Sequence, residues 1–525
     1  MTNQQLNPFE IKAELISLMN KFKGVQNFDE YSLNFKLLDE QEDKNIIVKL
    51  LFKELVNAGE NAPIIKFLLV RYCDKAILTE KLWGLIKNNM TPNFAKIIAL
   101  DILRDITTDW NYENCEEYLE NPDELIDEDT RQLLTAAIIN PEVQIDFLDF
   151  LSSLSGEDKL TLVSSLADDY SKDELANILI PVFLAEPESE TGLKALELLG
   201  NSRSQLAYHA LLETKKFLKE DMCQKLKKSL STLKISGIRE DNTVEFYSKL
   251  LSESKPYRFC VAYPDGMGNQ ALIFSRQKKG GKIQFVAVVI NDYEGIKDCF
   301  GFNEISKFEC DTIIDRFYKQ ERAVDVSPEV LKYFLENAEK ISRMIPNGKI
   351  PYEYICWKNI LADIDSSALN LLSELEKKLQ LKKITDENFE KILELDIFDN
   401  WFLTPDYSGE YEDFLIDLDK NFTKNPKFDI DTFVENKMSE VFSEDEKMLF
   451  VWRIIISSYL LLTEKRQEDA ELLYSLYFDE NYVEIFLKYL LQKSIYEYYF
   501  ALKDSGENVD DIISNIEEKW VKADV

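Results

Sequence analysis

Five carboxylates in one stretch of the sequence, Asp265, Asp292, Glu294, Asp298 and Asp311, are the residues whose types could do chemistry together. Paired acids serve acid–base hydrolysis or hold a divalent cation. Among 96 Asp and Glu in 525 residues, however, nearness in sequence carries little meaning. Asp292, Glu294 and Asp298 could share one side of a turn, but a Mg²⁺ or Ca²⁺ site wants more oxygen ligands in a compact loop, so they read as solvated acids. The chain has one histidine, His209. That removes histidine-rich metal sites and makes any Ser-His or Cys-His scheme depend on one position. His209 follows Leu206 by three residues on a helical pattern and reads as structural.

Asp265-Gly266-Met267-Gly268-Asn269 invites comparison with a phosphate-cradling loop. A P-loop needs GxxxxGK[ST] and a dinucleotide site needs GxGxxG opening a helix; here strand follows two glycines, so a tight turn is expected and no nucleotide site. Lys255, Arg258, Arg276, Lys278, Lys279 and Lys282, mixed with Tyr257, Phe259 and Phe274, form the one basic segment. Such mixtures can bind single strands, but lysines at a hairpin tip also protect an edge from aggregation. Solubility, or an intramolecular contact with the acidic repeats, is the expected role. No residue is assigned a catalytic, cofactor-binding or metal-binding role, and no cofactor is expected.

The elements that must position these residues are mostly helical. From Phe9 to Gly237 apolar residues recur at three and four, as in Ile64, Ile65, Leu68 and Leu69, with breaks at Glu60–Pro63, Thr91-Pro92, Asn140-Pro141 and Pro187–Glu190. Ser171 with Glu174 opens a capped helix, Gly200-Asn201 divides two more, and Gly237 closes the last. The acidic run Glu116 to Thr130 reads as a solvated loop with a short helix. After Gly237 the period changes to two: Tyr257–Tyr263, then Leu272 and Phe274, then Ile283, Phe285 and Val289 predict a three-stranded meander, with Gly280-Gly281 as its hairpin turn. Helices resume at Ser327-Pro328 and again from Ser366. Ser443 with Glu446 has capping-box spacing ahead of a buried helix from Met448 to Leu462, and a helical hairpin closed by Gly506 precedes a final helix near Asp510–Trp520. The C-terminal aromatics, from Tyr474 to Phe500, are expected to be mostly core with some exposed.

The run Glu190 to Ile238, with ALELLG, a short turn, a second helix and the tail KKSLSTLKISGI, resembles HEAT-type repeats. The segment that follows, DGMGNQALIFSR, the hairpin, VVINDYEGIKDCFGF and a helix ending near Trp357-Lys358, looks like a module found after such repeats in an uncharacterised bacterial family. The resemblance implies a HEAT-like α-solenoid with a small α+β module, and carries no catalytic residue across.

Composition bounds the partners. The net charge of −34 repels phosphate backbones and anionic headgroups over about a Debye length, roughly 8 Å in physiological salt, so no nucleic acid and no membrane partner is expected. Seven dispersed cysteines without a CxxC pair fit a reducing compartment, and MTNQQLNPFEIKAELI shows no secretory signal, so a cytoplasmic location is expected. The organisation expected is 1–238 HEAT-like repeats, 239–326 an α+β module and 327–525 a C-terminal helical domain. The function expected is a non-enzymatic scaffold or adaptor that binds protein partners, basic ones favoured, with Leu206–Lys216 and the β module as the places of contact. The alternative is a hydrolase-type or metal-dependent enzyme with acids gathered around the module.

Overall fold

Helix starts follow the caps written in the sequence. Ser171 with Glu174, Ser306 with Glu309 and Ser443 with Glu446 close reciprocal capping boxes on the helices Lys172–Ala185, Lys307–Gln320 and Glu444–Thr463. Ser327 caps Pro328–Met344, with proline in its first turn where no amide donor is needed. The computed structural model describes residues 6–505 apart from 23–27, 29–33, 42–43, 57–60, 108–118, 120–121, 217, 240, 346–347 and 426. Gly506 and the closing helix expected near Asp510–Trp520 lie outside the described residues, as do Glu116–Tyr118. The acidic stretch is helical from Pro122 onward, within Pro122–Ala137. That helix is longer than the short one expected.

The chain is mostly helical, with one five-stranded antiparallel sheet, and forms two compact units, Met1–Arg131 and Gln132–Val525. The first unit has its own core, built by helices such as Lys44–Leu55, Ala62–Tyr72 and Asn93–Ile106 around Leu51, Ile65, Leu68, Leu82 and Ile102. In the second unit one continuous core runs from Leu134 to Tyr499. Within it, six helices alternate between two layers. Pro141–Ser153, Lys172–Ala185 and Gln205–Thr214 pack in succession, and Gly156–Asp169, Glu190–Asn201 and Glu220–Ile235 do the same beside them. The face of the first layer is occupied by the chain itself, through the helix Tyr352–Trp357. Within Leu206–Lys216, Leu206 to Leu211 are buried, whereas Lys215 and Lys216 are exposed.

The sheet comprises β1 (Ser254–Ala262), β2 (Asn269–Lys278), β3 (Ile283–Asn291), β4 (Gly295–Ile305) and β5 (Ala323–Asp325), in the order β4-β3-β2-β1-β5. The three expected strands are β1 to β3. Of the two turn glycines only Gly281 takes a positive φ, +82°, so the hairpin needs one left-handed residue rather than two. One sheet face, with Leu272, Phe274, Val286 and Val288, joins the main core; the other, with Cys260, Ile273, Ile283 and Phe285, is covered by Lys307–Gln320. No described helix is long and apolar enough to cross a membrane. Met448–Leu462 lies inside Glu444–Thr463, with Arg453, Ser457 and Ser458 buried among the apolar residues.

Candidate functional site

The loop between β1 and β2 is fixed by its own acid. Asp265 accepts from the amides of Met267 at 2.9 Å and Asn269 at 2.8 Å, and from Asn269 Nδ2 at 3.2 Å. Burial pushes its carboxyl above the ordinary range, and the hydrogen bonds from Asn269 pull it back. Arg453 reaches the same loop from the Glu444–Thr463 helix. Its Nη1 donates to the Gly266 carbonyl at 2.7 Å, while Nε and Nη2 form a fork on Asp292 at 2.6 and 2.9 Å. Its guanidinium lies 4.3 Å from the centre of the Phe450 ring. Gly268, at φ +82°, admits this pair; a Cβ there would collide with Asp292 Oδ1 and Arg453 Nη2. Trp401 Nε1 donates to the Pro264 carbonyl at 2.7 Å, which ties the same loop to the C-terminal helices. The remaining space around Arg453 and Asp292 is about 40 Å³, room for a water and not for a substrate.

The five acids singled out in the sequence therefore do not gather. Asp292 is engaged by Arg453 and Asp265 by its turn. Glu294 is exposed and pairs with Lys297 at 2.9 Å. Asp298 is exposed and accepts from the Cys299 amide at 2.8 Å, and Asp311 accepts from the Tyr257 hydroxyl at 2.5 Å. Among the described residues no group of three or more His, Cys, Asp or Glu is placed to hold a metal ion. The six described cysteines are free thiols. His209 is buried between Gln205, 3.0 Å from Nε2, and Thr243, 3.1 Å from Nδ1, and stacks on Phe246 at 4.3 Å. Burial holds its pKa below the ordinary imidazole value, against the pull of Asp241.

The basic segment is largely neutralised within the chain. Arg276 is buried in a fork on Asp363 at 2.7 and 3.0 Å; Arg258 pairs with Asp325, Lys278 with Glu304 and Lys279 with Glu253, each at 3.1 Å. These contacts are intramolecular, but the acids belong to the sheet, its flanks and the loop at Asp363 rather than to the repeats. Phe259 and Phe274 are buried, so neither offers a stacking face.

Among the described residues, an aromatic surface and a cleft stand open. On β4, Phe300 and Phe302 are 51% and 39% exposed. They stand opposite Ala287 and Phe285 and form, with Phe285, a triangle of rings 6.2 Å apart. The Lys307–Gln320 helix covers the sheet face beside them but leaves these rings half-exposed, and Phe308 in its first turn is 80% exposed. In the C-terminal helices Tyr474, Phe486 and Tyr499 are core, while Phe478 and Tyr496 are exposed.

The second surface is a cleft of about 760 Å³ within the Gln132–Val525 unit. Its floor is apolar, from Leu148, Leu151, Val182, Leu184, Ile345 and Ile350, and its polar lining includes Lys159, Lys219, Arg343 and Lys349 against Glu186 and Glu188. Sequence reasoning pointed to the β module but did not single out β4 or its aromatics, and it missed the cleft. The alternation Asp298, Phe300, Phe302 was a signal for β4, weakened by Gly301 between the two aromatics. The cleft had no local signal, since its residues span positions 148 to 352. No protein-family model, no curated protein and no solved structure matches this chain.

Proposed function

We propose that the chain is a non-catalytic scaffold or adaptor, a HEAT-like helical-repeat protein of the cytoplasm whose α+β module receives a protein partner. The observation that carries this reading is the half-exposed aromatic surface of β4, because clustered exposed aromatics supply much of the energy at protein interfaces. The two-layer succession of helix pairs between Pro141 and Ile235 supports the repeat reading. The acidic balance favours a partner whose rim is basic, with association that slows as salt rises. Against the acid-based enzyme stands the dispersal of Asp265, Asp292, Glu294, Asp298 and Asp311.

The test places a photoreactive benzoylphenylalanine at position 308 and identifies what it captures. The partner so identified is then titrated against Phe300→Ser/Phe302→Ser. Re-exposing two half-buried rings predicts affinity lower by about 2 kcal/mol, roughly 30-fold, with the melting curve preserved. Unchanged affinity in that variant, or no specific capture at 308, refutes the reading.

A further inference from the structure

We propose that the 760 Å³ cleft binds a free amphiphile with one anionic head and an alkyl body, a site independent of the protein-binding reading. The volume falls in the range of small-molecule sites, about 300–1,000 Å³. The floor residues Leu148, Leu151, Val182, Leu184 and Ile350 are hydrocarbon, so the buried part of the ligand is hydrocarbon too.

Charge decides the head. Arg343 is engaged by Glu339 at 3.1 Å and Lys219 by Glu188 at 3.5 Å. Lys159 and Lys349 have no carboxylate partner among the described residues, although the molecule carries a net charge of −34. The Glu186 carboxylate on the same lining likewise has no cation partner among the described residues, so two ammonium groups stand against one carboxylate, a net attraction for a single negative charge. Glu186 and Glu188 on the same lining disfavour a multiply charged anion such as a nucleotide. The Ser189 hydroxyl is occupied in capping its helix, with Gly192 N at 2.9 Å and Glu186 O at 3.0 Å, so it adds nothing for a polar peptide or sugar.

The probe is dodecanoate, below its micellar range, titrated into the full chain by calorimetry. One saturable site per chain is expected, weakened by about an order of magnitude for every two methylenes removed toward octanoate. Lys159→Ala/Lys349→Ala, both at the cleft edge, is expected to weaken dodecanoate about tenfold while leaving the melting curve unchanged. Dodecanol and dodecyltrimethylammonium are expected to bind more weakly than dodecanoate. No saturable heat, equal binding of the neutral or cationic analogue, or an unchanged constant in the double variant overturns the proposal. Co-sedimentation with phosphatidylglycerol vesicles that the double variant abolishes would also overturn it, in favour of a membrane contact.

Discussion

Replacing Arg453 by methionine tests whether the Arg453–Asp292 pair holds the sheet to the C-terminal helices. The variant keeps the apolar stem and removes three hydrogen bonds, two to Asp292 and one to the Gly266 carbonyl. Asp292 is only 11% exposed, so its carboxylate would be left without a counter-charge in poor solvent. It has two ways out: remain charged and unpaired, at about 3–5 kcal/mol, or take a proton. Burial raises the Asp292 carboxyl above the ordinary range even beside Arg453, so protonation at pH 7 costs less than the roughly 4 kcal/mol that an ordinary aspartate would need at about 1.4 kcal/mol per pH unit. The cheaper route sets the expectation at about 3–4 kcal/mol at pH 7. Because protonation becomes free as pH falls toward 4, the penalty shrinks with acidification to about 1 kcal/mol, the unmade bond to Gly266. Adding Asp292→Asn removes the stranded charge, so the double variant should recover about 2–3 kcal/mol at pH 7. The assay is urea-dependent hydrogen exchange of the amides of 264–270 and 289–296, which reads this region without the separate Met1–Arg131 unit. A loss below 1 kcal/mol in Arg453→Met, or a double variant as unstable as the sum of its singles, would refute the pair's role.

Two further outcomes follow from titration. Unfolded, His209 takes its proton near pH 6.5, whereas burial keeps it neutral to lower pH in the fold. Protons therefore bind the unfolded chain first, and stability falls as pH drops below about 6.5; His209→Gln should lose that slope. As the only histidine, it gives one ¹³C-labelled imidazole signal, and a midpoint at or above 6.5 would contradict the burial argument. Glu339 is buried, which opposes its charge, yet Lys358 and Arg343 outweigh burial and hold its carboxyl below the usual range. Its contribution is present above the unfolded value, about 4.3, and is lost as pH falls through the lower folded value. Glu339→Gln should cost about 3 kcal/mol at pH 7, and the gap from the parent should narrow steadily as pH falls below about 4.3 in urea melts; a gap constant with pH refutes it.

What was legible in the sequence was local. Caps at Ser171, Ser327 and Ser443 fix helix starts because the donors they satisfy lie within three residues. The β2–β3 hairpin was readable from alternation about Gly280-Gly281. β4 was not, because its pattern is interrupted by Gly301, where a Cβ would strike the Trp357 ring, and that neighbour lies 56 residues away in sequence. In the sequence Arg453 merely interrupts the apolar run Met448–Leu462. Its meaning depends on Asp292, 161 positions earlier, and no periodicity encodes such a pairing.

The same pairing logic bears on the cations around the cleft. Most cations inside the unit meet an acid: Arg453 meets Asp292, Arg276 meets Asp363, Arg343 and Lys358 share Glu339, and Lys332 lies 4.0 Å from Glu336. Burial enforces this, since an unpaired interior charge is costly and the chain has acids in excess. Lys159 and Lys349 escape the constraint because they border a cleft that water can enter. In a molecule of net charge −34, Lys159 and Lys349 against the one unpaired Glu186 leave the cleft lining a small excess of positive charge inside a repulsive envelope. The envelope repels a ligand in proportion to its charge, while the floor attracts it in proportion to its hydrocarbon area. A single negative charge on a long apolar body is the combination that satisfies both terms.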